Sequence, residues 1–169
     1  MMLLISRYQR VFIFTLCMTL LGLAGCQHVP PAKKGLTAEQ IAVLKEQGFA
    51  LGDEGWTFGL SGKVLFGSDL EMLNQPSKNV VEGIGKALLG VGIKKVRIDG
   101  HSDASGKAGY NEELSLRRAN SVSKTLVGVG MNPQDIELRG LGSREPVATN
   151  DTTEGRAENR RVAIVVSAQ

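Results

Sequence analysis

His101, Ser102 and Asp103 stand consecutively and carry the side-chain types of an acyl-transfer triad. Their spacing excludes that chemistry. Consecutive side chains on extended backbone point to alternate sides, so the three do not line up as base, nucleophile and orienter. The chain also has no Gly-x-Ser-x-Gly elbow. His101 reads instead as a packed or hydrogen-bonded structural histidine. Gly83-Ile84-Gly85 and Gly90-Val91-Gly92 fall in and after a helical pattern, not after a strand, and match no phosphate-binding loop. Two Cys (17 and 26) and two His (28 and 101) are too few for a metal cluster. The expectation is a protein without catalytic residues, metal or cofactor. Asp103, Asn111 and Arg118 remain. From spacing alone they read equally as a loop cap, a helix cap and cover for a helix surface, or as a site. Asn111 precedes Arg118 by seven residues, which puts both on nearly one helix face. Arg117 points about 100° away and reads as surface.

The elements that would position these residues follow from periodicity. Thr37 followed by Gln40 fits a capping box. Ile41 and Leu44 space out a short helix that ends near Gln47, with Gly48 as its stop. Phe49 to Leu60 is Gly-rich and holds Phe49, Trp56 and Phe58. Val64-Leu65-Phe66 is a short apolar strand. Ser77–Val91 has Val80, Val81, Ile84, Ala87, Leu88 and Val91 at helical spacing. Lys95–Gly100 alternates Val96 and Ile98 with Arg97 and Asp99, a half-buried strand. Asn111–Val127 is a second helix, with Leu114, Ala119, Val122 and Leu126 facing the core. Asn132-Pro133 turns into a strand at Ile136–Arg139, a long loop spans Gly140–Asn159, and Val162–Val166 closes the chain. The order β-α-β-α-β-β predicts a two-layer α/β (α+β) sandwich, with helices packed on a mixed sheet.

The N-terminus reads differently. Arg7 and Arg10 precede an apolar run from Val11 to Leu23, then Leu23-Ala24-Gly25-Cys26. A charged start, a short apolar core and small residues before a cut mark a secretory signal peptide. The run is short for a transmembrane helix, which needs about 20 apolar residues. Leu-Ala-Gly-Cys resembles the bacterial lipobox, which implies lipidation at Cys26 and a lipid anchor. Gln27, where an Asp would favour the inner membrane, favours the outer. Pro30, Pro31, Lys33 and Lys34 make an extended tether. The expected segments are a signal at 1–25, a tether at 26–35, a helix and aromatic linker at 36–60 and a folded domain at 61–169. Removing the signal leaves 18 basic against 17 acidic residues, a net of +1 where the whole chain has +3. The basic pI therefore does not point to nucleic acid. About 110 residues of domain support one core.

The run Val96 to Gly106, then Tyr110-Asn111, Leu114 to Ala119, Arg139 to Pro146 and Gly155 to Val162 carry a family resemblance. Together they resemble the C-terminal domain shared by OmpA, MotB and the peptidoglycan-associated lipoprotein, from Val64 to Val166. The resemblance implies the same sandwich and a peptidoglycan ligand, the diaminopimelate of the stem peptide. At matching positions it implies that Asp103 takes the ligand ammonium, that Arg118 takes its carboxylate as a two-pronged fork, and that Asn111 joins them. The loop after the first strand borders the ligand in that family. Here it is Phe66-Gly67-Ser68-Asp69, where the family has Phe-Asp, so Ser68 and Asp69 are the candidates. Asn159-Arg160-Arg161 reads as a tie between the long loop and the sheet through carboxylates and carbonyls.

Leu36 to Phe49, Asp53 to Trp56 and Lys63 to Phe66 resemble a narrower group, the outer-membrane lipoproteins of a three-component envelope-stress system. That resemblance implies capture of a periplasmic YfiR-like repressor, release of an inner-membrane diguanylate cyclase, and biofilm through cyclic di-GMP. Ile41, Leu44, Phe49 and Trp56 are the candidate partner-binding residues. They either pack permanently on their own domain, or rest there or on a second copy, as a homodimer, and extend to offer aromatic anchors. A structural tether working with the Tol system is the alternative, and a cell-wall hydrolase a remoter one.

Overall fold

The computed structural model describes residues 35–61 and 72–168. Cys26, the signal, the tether up to residue 34, the expected strand at Val64–Phe66, and Ser68 and Asp69 lie outside the described residues.

Helix α1 (Ala38–Glu46) opens the described chain, and its capping box forms as expected. The Thr37 side chain accepts from the Gln40 backbone N–H at 3.2 Å, and the Gln40 side chain accepts from the Thr37 N–H at 2.9 Å. Gly48, at φ 84, supplies the left-handed residue that ends it. A tight hairpin follows, β1 (Ala50–Gly52) and β2 (Gly55–Ser61). Helix α2 (Gln75–Gly90) starts two residues before the expected Ser77, because Asn74 caps it by accepting from Ser77 N at 2.9 Å. Strand β3 (Val96–His101) leads into α3 (Ala108–Gly128). A single 3-10 turn at Pro133–Asp135 precedes β4 (Ile136–Gly142). Helix α4 (Thr153–Asn159) and strand β5 (Arg161–Val166) close the fold.

Among the described residues the sheet has five strands in the order β1-β2-β5-β3-β4. Only β3 and β4 run parallel, and the remaining pairs are antiparallel. The mixed sheet with helices on it is the expected sandwich. Strand β2 was not expected. The segment 36–60, read as an aromatic linker outside the sandwich, supplies two strands of it. Trp56, Phe58 and Leu60 oppose Val166, Ile164 and Val162 of β5. On β2 these residues alternate with Thr57, Gly59 and Ser61, whereas β5 is apolar on both faces; one face of each strand lines the core. Val81, Ile84 and Leu88 of α2 and Ala119, Val122 and Leu126 of α3 complete it, with Leu44 and Phe49 from the N-terminal segment.

Helix α3 sits unusually close to the sheet. A Cβ on Gly100 of β3 would run into the carbonyl oxygen of Ser115, and one on Gly140 of β4 would come within 2.6 Å of the carbonyl oxygen of Glu112. Two glycines therefore set the height of the helix that carries Asn111 and Arg118.

Candidate functional site

Asp103 lies two residues past the end of β3, in a loop held from several sides. Ser102 N donates to Gly142 O at 2.8 Å. Ala104 N donates to Asn150 Oδ1 at 3.0 Å. Asn111 Nδ2 donates to Asp103 O at 3.2 Å and to Ser105 O at 2.8 Å. The Asp103 carboxylate accepts from Ser105 N at 2.9 Å through Oδ1 and from Arg160 Nη1 at 2.7 Å through Oδ2. Asp103 is 8 % exposed. Burial alone would raise its carboxyl; the Arg160 guanidinium and the Ser105 hydrogen bonds outweigh it and hold the group below the usual carboxylate range.

Asn111 and Arg118 are both buried on the inner face of α3, with Leu114 and Ser115 between them. Two turns separate them, about 10 Å along the axis. Asn111 is not an N-cap. It is the fourth residue of the helix, and its own N–H already donates to Lys107 O at 3.0 Å. The structure thus brings Asp103 and Asn111 into direct contact and sets Arg118 on the same helix face. Arg117 lies outward, 40 % exposed at its side chain, 3.7 Å from Glu113.

The residue that sequence reading missed is Arg160 as the carboxylate's partner. It was read as part of the loop tie, and the tie is present. Asn159, fully buried, accepts from Val147 N and Ala148 N and donates to Ala148 O and Asn150 Oδ1. Arg161 donates to Glu145 O at 3.2 Å. Asn150 passes this order to Ala104, next to Asp103. The only available signal was the Asn-Arg-Arg run itself, which does not say what Arg160 reaches 57 residues away.

His101, Ser102 and Asp103 form no relay. Ser102 Oγ donates to the backbone oxygen of Asp103 at 3.0 Å, and the Asp103 carboxylate is turned to Arg160 and Ser105. His101 is buried and pushed down to about 4, by burial first and by Arg161 second. Among the described residues no group of three His, Cys, Asp or Glu side chains is placed to hold a metal ion.

The four candidate partner-binding residues are brought together, but not at the surface. Leu44, Phe49 and Trp56 are buried in the core and Ile41 is half-buried against it. Phe49 packs on Phe58 with ring centroids 5.4 Å apart, and Lys45 Nζ sits 6.0 Å from the Trp56 ring centroid. As aromatic anchors they are therefore unavailable in this conformation. The cause is the strand alternation in β2, which turns Trp56 inward.

The OmpA family model matches residues 65–160. The chain is 56 % identical over 164 residues to the outer-membrane lipoprotein YfiB of Pseudomonas aeruginosa, covering 97 % of this chain and 95 % of the relative. It is 39 % identical to the YfiB lipoprotein of Escherichia coli, covering 90 % and 94 %. Among solved structures it is similar to the cell wall anchor of the T6SS from Pseudomonas aeruginosa, at 31 % identity and a TM-score of 0.62, covering 78 % of this chain and 95 % of that one. The matched span holds every element from α2 to α4 and the whole Asp103–Asn111–Arg118 constellation, so the chain belongs to the OmpA family and, within it, to the YfiB lipoproteins.

Proposed function

We propose that this chain is a non-catalytic outer-membrane lipoprotein, anchored through Cys26, that holds peptidoglycan by the diaminopimelate of the stem peptide. The observation that carries the reading is the ionised, loop-fixed Asp103 carboxylate beside Asn111, with the Arg118 guanidinium on the same buried helix face. Diaminopimelate offers an ammonium and a carboxylate on one carbon. Asp103 takes the ammonium, because each carboxylate oxygen accepts more than the one bond it now holds. Arg118 takes the carboxylate bidentately. Asn111 fixes the loop through its amide nitrogen and keeps its oxygen for the ligand. The family resemblance adds Ser68 and Asp69 as candidate ligand neighbours. The 31 % identity to a structure described as a cell wall anchor supports the ligand class.

The test is calorimetry with a diaminopimelate stem peptide. Charge-assisted hydrogen bonds contribute roughly 1.5–3 kcal/mol, so Asp103→Ala and Arg118→Ala each weaken binding about tenfold or more. A stem peptide with Lys in place of diaminopimelate lacks the carboxylate and binds poorly. Equal affinity for both peptides rules the clamp out.

The finer role rests on the resemblance from Leu36 to Phe66 and on the YfiB relatives. In that reading the lipoprotein sequesters a periplasmic YfiR-like repressor and so activates an inner-membrane diguanylate cyclase. Because Leu44, Phe49 and Trp56 are core residues at rest, capture through them requires α1 and the β1–β2 hairpin to leave the core. Co-purification of the full chain from cells decides it. Recovery of the repressor supports capture; recovery of Tol components in its place supports a structural tether.

A further inference from the structure

Helices α2 and α3 pack side by side, and an open groove of about 620 Å³ runs between them on the side away from the sheet. Lys78, Glu82 and Lys86 stand four residues apart on α2, which puts them in one stripe along its wall. Lys124 lines the α3 wall. Met72 and Val129 add apolar surface, and Met72 is 63 % exposed. Three ammonium groups against one carboxylate give the groove a net charge of 3 minus 1, or +2. None of the three lysines is in an ion pair among the described residues. The positive charge is concentrated here, since 18 basic and 17 acidic residues nearly cancel over the chain beyond the signal.

Cations beside apolar surface fit an anionic amphiphile: the charges hold its head and the apolar wall takes the start of its chain. A lipid surface and an acidic amphipathic peptide both offer that chemistry. The way the chain enters the domain favours lipid. Gln40, in the first turn of α1, donates to Val91 O at 3.0 Å, at the C-terminal end of α2. Val91 is five residues past Lys86, about 8 Å along the helix axis. The chain therefore enters beside the groove. Cys26 precedes Gly35 by nine residues, which span at most about 30 Å. A folded unit of this size has a radius of gyration of about 14 Å. A tether of that length keeps the domain within about its own diameter of the lipid plane.

We propose that the α2–α3 groove binds the headgroup of an anionic glycerophospholipid and seats the domain on the membrane that anchors it. The choice of lipid rests on the anchor at Cys26; the charge of the groove does not. Lys124 lies thirteen residues past Asn111, about 20 Å along α3, so the headgroup and the Asp103 site do not compete for one surface.

Amine protection tests it. The full chain, purified from membranes, is reconstituted in vesicles of phosphatidylcholine with or without phosphatidylglycerol and briefly acetylated. Mass mapping of one digest reads each lysine and the state of Cys26. Phosphatidylglycerol slows labelling of Lys78, Lys86 and Lys124 about fivefold or more and leaves the exposed Lys94 and Lys95 unchanged. Salt at about 1 M cancels the protection. With Lys86→Gln and Lys124→Gln together, Lys78 labels as fast as in phosphatidylcholine; Glu82→Gln protects it further. Equal rates in both vesicles, or equal slowing at Lys94 and Lys95, overturn the proposal. Protection by polyglutamate and none by vesicles overturns it in favour of an acidic peptide. An acylated Cys26 with unprotected groove lysines overturns the groove alone. An unmodified Cys26 with protected ones overturns the anchor and supports the groove.

Discussion

Asp103 is under opposing influences, and Arg160 decides between them. Burial pushes its carboxyl up; the guanidinium at 2.7 Å and the Ser105 contacts pull it further down. Arg160→Gln keeps a donor and removes the charge. Its expected effect is a rise in the Asp103 pKa, so that binding of a diaminopimelate peptide, which in the proposed clamp needs the carboxylate, is lost at higher pH than in the wild type. A peptide titration repeated between neutral pH and pH 3 reads the shift, and coincident profiles would show that Arg160 does not set the charge. Asn159 is the other residue on which the site leans. Its side chain is fully buried and makes four hydrogen bonds to the part-buried 147–150 loop, and Asn159→Ala removes all four, at about 0.5–1.5 kcal/mol each. Urea unfolding should show a loss of about 3 kcal/mol or more. Asp103, Asn111 and Arg118 were legible in the sequence because the motif keeps them at fixed spacing along one strand end and one helix. Arg160 was legible only as a structural residue, since nothing local to it announces a carboxylate in a distant loop.

Elements were read well where the signal is local and poorly where it depends on a distant partner. Helix α1 was legible from Thr37 and Gln40, and α2 and α3 from their apolar spacing. Strand β2 was not. Its alternation is written in Trp56, Phe58 and Leu60, but Gly55 before them and Gly59 between them read as linker, and the strand that completes it lies about a hundred residues on, in β5. Helix α4 was read as loop because its seven residues carry no apolar stripe; Thr152 accepting from Gly155 N at 3.0 Å starts it. The relocation of β2 changes what its aromatics do. Phe49→Ala and Trp56→Ala remove buried rings from the core and should cost about 3–5 kcal/mol each, as large-to-small core changes do. Denaturant midpoints check this; losses below about 1 kcal/mol, the scale of surface substitutions, would place the rings outside the cooperative fold. A repressor pull-down with such variants is interpretable only beside that measurement, because an unfolded chain also fails to bind.

Taken as one cooperative unit, the domain carries a built-in acid sensitivity on the sheet face away from the helices. His101 ends β3 at 3 % exposure, beside Arg161 of β5, and its Nδ1 has no hydrogen-bond partner among the described residues. Asp99 is buried on the same strand and bonded to Arg97, which also pairs with Glu54. The imidazole is thus surrounded by low dielectric and a neighbouring guanidinium, both of which disfavour its charged form. In the folded chain it titrates at about 4, against 6.5 when unfolded. The unfolded state therefore binds the proton first as pH falls, so stability is intact above pH 6.5 and declines through the window down to about pH 4. The slope approaches 1.4 kcal/mol per pH unit, which amounts to about 3 kcal/mol over the whole window. Asp103, whose folded pKa is depressed, adds a further loss only below the ordinary carboxylate range. His101→Gln removes the titrating group. It lowers stability at neutral pH if the imidazole packs well, but its unfolding free energy should be nearly flat from pH 7 to pH 4.5. Urea unfolding of both proteins across that range separates packing from titration, since only titration changes the slope. Parallel stability curves would mean that His101 is protonated as readily in the folded chain as in the unfolded one, and that its burial exerts no electrostatic cost.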